Sequence, residues 1–280
     1  MLDTIDPIFL PTTLRTPPAA QDVQPAQCPH ASPFERWFGQ GERAHWSASV
    51  AAPVACRVAR QAALLREGAC ARNVYVVQAG DFKVSRMAED GYEQVLDFAV
   101  AGEVLGLEGL AGGRTLATVE ALQDSLVYAI PIHDLRGLRA ANPLFDERLQ
   151  QSLSAQWGRM RDLAWLTGAV GSDRRTARFL LLMARRMAER GMSASRLHLT
   201  MRRRDIASYL GLAHESVSRS MTALAAAGLL KVLGREVQII DMEGLRLLAS
   251  STRGHGGEAG AATLAAPRSP RHSATGSYAH

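Results

Sequence analysis

The hydrophobic pattern changes period at Asn142-Pro143, and that switch constrains the chain more than any other feature. From Arg60 to Ile132 the apolar runs are short and punctuated by turn residues. Val74–Val77 is followed by Ala79-Gly80-Asp81 and then by Phe82-Lys83-Val84. Glu89-Asp90-Gly91 separates that run from Gln94–Phe98, and Asp-Gly between two strands is a hairpin signal. Ala101-Gly102-Glu103 and Gly112-Gly113 break the next runs, and Ser125–Ile130 closes the series. Short strands at this spacing predict an antiparallel roll or barrel. After Pro143 the texture is helical. Leu149, Leu153, Met160 and Leu163 recur at steps of four and three, with Gln156 and Thr167 in the seam positions between them. Trp157 and Trp165 widen the apolar face. Such a stripe over Leu144–Thr167 predicts a helix that pairs with a second copy of itself, through Leu149, Leu153, Trp157, Met160 and Leu163. The alternative is a helix whose apolar side covers the strand domain.

Gly168-Ala-Val-Gly171 ends that helix and supplies a glycine pair able to absorb a rotation. Ser172 or Asp173 is placed to cap the next helix, Arg174–Arg190, which buries Ala177, Leu180, Leu181, Ala184 and Met187. Leu197–Leu199 reads as a short strand. Thr200 is then placed to cap a helix over Arg202–Leu210. Gly211-Leu212-Ala213 joins it to a second helix, His214–Ala227, which stops at Gly228. Two short helices across a three-residue, glycine-bearing turn predict a helix-turn-helix held by Ile206, Leu210, Leu212, Val217, Met221 and Leu224. Leu229–Leu233, Gly234-Arg235 and Glu236–Ile240 read as a hairpin behind it, the wing of a winged helix.

Charge separates the same regions. Asp173–Arg246 holds 14 Lys+Arg against seven Asp+Glu, a balance of +7, whereas residues 1–172 sum to −4. A positive field confined to one module points to a polyanion partner for that module. On the second helix, His214, Glu215, Ser218 and Arg219 occupy the outward N-terminal positions, from which a recognition helix reaches base edges. Arg219 suits guanine, Glu215 suits the cytosine amino group, and Ser218 suits either partner of an A·T pair. The bland alternative is an intrahelical Glu215–Arg219 ion pair worth a few tenths of a kcal/mol. Thr200, Arg202, Arg203, Arg204 and Lys231 would contact phosphates, which position the module without reading sequence.

Residues 1–33, rich in Pro, Ala, Gln and Thr, are expected to form a disordered arm, and residues 251–280 a disordered tail. No apolar stretch approaches the ~20 residues that span a bilayer, and the acidic, proline-bearing N-terminus is no secretory signal. Three cysteines fit a reducing compartment, so the expected location is cytoplasmic, away from membranes. A metal enzyme built on the roll would need histidine ligands, and Arg60–Ile132 contains no histidine. No catalytic or metal-ligating set is assigned, and the chain is expected not to be an enzyme.

Over about residues 58–250 the chain resembles the Crp/Fnr family of bacterial transcription regulators. The resemblance rests on REGACARNVYVVQAGDFKV, on DGYEQVLDFAVAGEVLGLEGL and above all on LTMRRRDIASYLGLAHESVSRSMTALAAAGLL. Glu215-Ser216-Val217-Ser218-Arg219 is similar to the recognition helix of the Fnr-type branch. The resemblance implies an α+β chain in several parts. A cyclic-nucleotide-binding-type antiparallel β-roll would span 34–142, a dimerisation helix and hinge 143–170, and a winged helix-turn-helix 171–250. It further implies a homodimer on double-stranded DNA with TTGA and TCAA half-sites, RNA polymerase as a partner, and genes of respiration, low-oxygen or nitrogen-oxide metabolism.

The effector is left unassigned. The oxygen-sensing branch holds an iron–sulfur cluster on four thiolates, but the N-terminal region here has Cys28 alone and Tyr128 occupies the fourth place. Cys28 is a candidate redox thiol instead. Where the cyclic-AMP branch has Gly-Glu-Leu and Arg-Ser-Ala, this chain has Gly106-Leu107-Glu108 and Arg114-Thr115-Leu116. Glu103, Glu108, Arg114 and Thr115 are the candidate pocket residues for a cyclic-nucleotide-responsive alternative. The eight histidines show no paired spacing that argues for or against haem. A further alternative, a ligand-binding adaptor, would use the winged helix for protein contacts.

Overall fold

Turn glycines and β-branched runs build the N-terminal half. In the computed structural model, which describes residues 37–38, 53–168 and 171–250, this half holds eight strands. They are β1 (Val54–Val58), β2 (Ala63–Leu65), β3 (Asn73–Ala79), β4 (Asp81–Met87), β5 (Glu93–Val100), β6 (Val104–Leu105), β7 (Thr118–Ala121) and β8 (Ser125–Pro131). They form two antiparallel sheets, β1-β8-β3-β6 and β2-β7-β4-β5. The β4–β5 hairpin turns where Asp90-Gly91 predicts it, with Gly91 at a φ of 82° that a side chain would strain. At the other end of β4, Gly80 has a φ of 94°, and an added Cβ there would lie 2.0 Å from the Ser125 hydroxyl oxygen. Val77, Phe82, Ala121 and Val127 are fully buried between the sheets.

Helix α1 (Leu135–Ala141) leads into the long helix α2 (Pro143–Thr167). Asn142 caps α2 by accepting a bond from the Phe145 amide at 2.9 Å, and Pro143 sits at the first turn, where its missing N–H costs nothing. The expected five-residue stripe divides. Leu149 is buried among Phe38, Val76, Ile130 and Phe145 on the roll, and Leu163 packs on the C-terminal core. Leu153, Trp157 and Met160 point outward, being 38%, 68% and 62% exposed. A helix lying on a sheet must bury one side, and at 100° per residue Leu149 and Leu163 fall toward that side.

Helix α3 (Ser172–Ala188) starts two residues earlier than the sequence predicts. Neither Ser172 nor Asp173 caps it, because Gly171, at a φ of 87°, is the N-cap and makes no side-chain bond. The expected inward residues Ala177, Leu180 and Ala184 are buried, with Phe179, Leu182 and Met183 beside them, while Leu181 and Met187 are half-buried. Strand β9 (Arg196–His198), helix α4 (Arg203–Leu210), helix α5 (His214–Ala226), the hairpin β10 (Leu230–Leu233) and β11 (Glu236–Ile239), and helix α6 (Met242–Ser250) complete the chain. The third sheet runs β10-β11-β9, antiparallel throughout. All described residues belong to one compact unit. No helix among them is long and apolar enough to cross a membrane.

Candidate nucleic-acid interface

The helix-turn-helix is made by local rules. Asp205, three residues into the first turn of α4, accepts a bond from the Arg202 amide at 3.0 Å and so supplies the cap expected of Thr200. Gly211 ends α4 at a φ of 61°, and the Leu212 amide returns to the Ala207 carbonyl at 2.9 Å. From α3, Arg175 Nη1 donates to the carbonyls of Leu210 and Gly211 at 3.2 and 3.3 Å, which pins the turn from behind. Ile206, Leu210, Val217, Met221 and Leu224 are buried, and half-buried Leu212 packs on them, as the inward faces require.

Burying Val217, Met221 and Leu224 leaves the opposite side of α5 to solvent. Glu215, Ser218, Arg219 and Thr222 stand there at i, i+3, i+4 and i+7, with His214 at the N-terminal end. The spacing permits an ion pair between Glu215 and Arg219, but the side chains are arranged otherwise. Glu215 Oε1 lies 3.0 Å from His214 Nδ1, and Arg219 Nη2 donates to Ser216 Oγ at 3.4 Å. The guanidinium therefore keeps most of its donors for a ligand.

The five candidate phosphate contacts are not equivalent. Arg202, Arg204 and Lys231 are exposed, whereas Arg203 is half-buried with Nη2 donating to the Gly234 carbonyl of the wing turn at 3.2 Å. Burial holds the Arg203 guanidinium below its ordinary pKa. Its role in the fold is to tie α4 to the wing. Thr200 is buried, and its hydroxyl bonds Asp81 of the roll. Its side chain turns toward the roll and leaves little surface for a phosphate. Exposed Arg235, at the wing turn, and Arg196 on β9 are cations of the same module that sequence reading did not single out. Wing geometry, with Gly234 at a φ of 61° beside Arg235, was the available signal.

The candidate effector residues of the roll do not converge as expected. Glu103 is engaged by the Arg186 Nη2 group at 2.7 Å. Thr115 is buried, with its hydroxyl donating to the Arg66 carbonyl. Arg114 is exposed with Nη1 on the Gly68 carbonyl at 2.7 Å, and Glu108 is half-buried. Both Thr115 and Arg114 thus hold the 66–69 loop. Cys28 lies outside the described residues. Of the other thiols, Cys56 lies in β1 with burial pushing its thiol up, and Cys70 is exposed. Among the described residues no three His, Cys, Asp or Glu side chains converge as metal ligands.

Residues 174–248 match the family model of the Crp-like helix-turn-helix domain, and residues 55–142 that of the cyclic nucleotide-binding domain. The fumarate and nitrate reduction regulatory protein of Salmonella typhimurium is 30% identical over 190 residues, covering 68% of this chain and 76% of that relative. Electron transport regulator A of Shewanella oneidensis matches with the same identity and coverage. Among solved structures, FixK2 from Bradyrhizobium japonicum superposes with a TM-score of 0.65 at 27% identity, over 72% of this chain and 100% of that one.

Proposed function

Because the chain belongs to the Crp/Fnr family of DNA-binding transcription regulators, we propose that it binds a TTGA-N6-TCAA-like palindrome as a homodimer and controls genes of respiration, low-oxygen or nitrogen-oxide metabolism. The observation that carries this reading is the solvent face of α5, where Glu215, Ser218 and Arg219 stand clear of the fold on a module of net charge +7. Arg219 reads guanine through its fork, Glu215 accepts from a cytosine amino group, and Ser218 and His214 complete the contact. Exposed Arg202, Arg204 and Lys231 hold phosphates, joined by Arg235 of the wing. Two copies pair through Leu153, Trp157 and Met160 of α2, in the cytoplasm, and the DNA-bound dimer contacts RNA polymerase. The cyclic-nucleotide alternative is disfavoured by the fold, since a ligand taking Glu103 would first have to displace Arg186 from it.

Titration of a fluorescent TTGA-N6-TCAA duplex against a scrambled one, at two salt concentrations, tests the reading. Selective binding that weakens steeply with salt is expected, because phosphate contacts release counterions. Equal affinity for the two duplexes would overturn it. Arg219→Ala is expected to weaken specific binding by about 1–3 kcal/mol and to relax selection at the guanine. Unchanged discrimination between wild-type and guanine-substituted sites would refute that assignment. Lys231→Ala is expected to weaken binding evenly across sequences and to reduce the salt slope by about one. An unaltered slope would remove Lys231 from the interface.

A further inference from the structure

The winged helix does not hang from α2 alone. It is seated on the edge strand of its own roll. Ser208 Oγ of α4 accepts a bond from the Val95 amide at 2.9 Å and donates to the Glu93 carbonyl at 2.8 Å. Gln94 Nε2 donates to the Ser208 carbonyl at 2.7 Å. Phe98 of β5 enters the C-terminal core, its ring 5.3 Å from Tyr209 and 6.4 Å from Phe179. Buried Lys83 adds an ion pair to Glu93 at 2.7 Å, with Asp205 of α4 at 3.9 Å.

Beside this seam lies a group of four charges largely withdrawn from water, Arg186 buried and Arg159, Asp97 and Glu103 half-buried. Arg186 of α3, only 6% exposed, places Nη2 2.7 Å from Glu103 Oε1 and donates from the same nitrogen to the Phe98 carbonyl at 2.7 Å. Its Nη1 is 3.7 Å from Asp97 Oδ1. Arg159 of α2 places Nε 2.7 Å from Asp97 Oδ2 and Nη1 3.7 Å from Glu103 Oε1. One arginine precedes the break at 168–171 and the other follows it, yet both grip the same two carboxylates of the roll. Two guanidinium groups face two carboxyl groups, so the formal charges balance, with burial pushing the Asp97 carboxyl above its ordinary pKa. Burial alone would lower the Arg186 pKa, but Glu103 and Asp97 outweigh it and hold the guanidinium above its ordinary value.

Buried ion pairs of this kind contribute little net stability against apolar replacements of equal volume, and their best attested use is to fix register. We propose that Arg159 and Arg186, clasping Asp97 and Glu103 from the two sides of the break, are positioning residues for DNA recognition. They hold each winged helix at one orientation on its roll and thereby set the half-site spacing that the dimer accepts. A two-fold site requires both recognition helices to enter the major groove about one helical turn apart. Inserting or deleting a base pair both shifts and rotates one half-site. A rigid seat rejects that change, and a loosened one follows it. The inference rests on the palindrome reading above.

The test compares wild type with the isosteric pair D97N/E103Q and with Arg159→Gln. Each is titrated against TTGA/TCAA duplexes with spacers of four to eight base pairs and against a duplex carrying a single half-site. Wild type is expected to prefer one spacing by at least about tenfold, a discrimination of the size a single wrong base pair imposes. The variants are expected to flatten that preference to within about threefold while single half-site affinity stays within about twofold. A folded variant that keeps the wild-type spacing profile would overturn the proposal. So would an equal fall in half-site and full-site binding, which a purely structural role produces. Should D97N/E103Q fail to fold, Arg159→Gln decides, because it removes one guanidinium from α2 and leaves Arg186 to pair the carboxylates. Absence of selective binding by wild type at every spacing would refute the palindrome reading itself, and this inference with it.

Discussion

Trp157→Glu is expected to turn the protein into a monomer and to remove tight binding to a palindromic duplex. In a single chain the Trp157 side chain is 68% exposed, with Leu153 and Met160 exposed at four residues before and three after. Large apolar groups so arranged on one helix form a seam that a second copy of the helix covers. A two-fold pairing sets each residue near its twin, so one substitution places two carboxylates in the same apolar seam. Like charges so juxtaposed cost several kcal/mol, which raises the dimer dissociation constant about a hundredfold or more. The monomer fold should be untouched, because Trp157 packs on none of the three hydrophobic cores of the described residues. Sedimentation velocity at micromolar concentration checks the expectation, with thermal melting as the control for folding. A persistent dimer would show that the exposed face of α2 is not the seam.

Phe179→Ala is expected to destabilise the protein by about 3–5 kcal/mol. Phe179 is fully buried, with its ring 6.0 Å from Tyr209 and 6.4 Å from Phe98. Truncation forfeits the transfer free energy of the ring and leaves a void that α3 and α4, both anchored at each end, do not close. At ~2–4 °C per kcal/mol for a chain of this size, the melting temperature should fall by roughly 6–20 °C. Because Phe98 belongs to the roll and Tyr209 to the helix-turn-helix, the loss falls on both halves. A melting temperature lowered by no more than about 2 °C would refute this account of the core.

Much of this architecture is written locally. The long helix α2, the Asp-Gly hairpin, the glycine turn between α4 and α5 and the two-residue wing turn each arise from residues a few positions apart, and each stands where the sequence places it. Strands β1, β2, β6 and β7, to which the sequence assigns no bounds, run two to five residues and lie where no alternation is long enough to register. In the candidate interface, Glu215, Ser218 and Arg219 were legible because burying one side of an amphipathic helix exposes the other. Thr200 is turned inward and Arg203 partly so for a related reason: they sit in a basic run whose outward members are Arg202 and Arg204, and composition alone does not tell which way a side chain turns.

The sequence by itself determined the succession of elements, the helix-turn-helix with its wing and the solvent-facing side of α5, because hydrophobic period, turn chemistry and capping act within one or two turns of chain. Only the tertiary structure decided which charges are spent inside. Arg186 and Glu103 are 83 positions apart, and Ser208 and Val95 are 113 apart. Arg178, another cation of the basic module, is also buried, stacked 3.8 Å over the Trp165 ring with Nε on the Ala249 carbonyl. The same long-range packing turned Leu149 into the roll and left Trp157 outside. A buried charge needs a partner in a low-dielectric surrounding, and that partner is supplied by folding, from a part of the chain that no local pattern links to it.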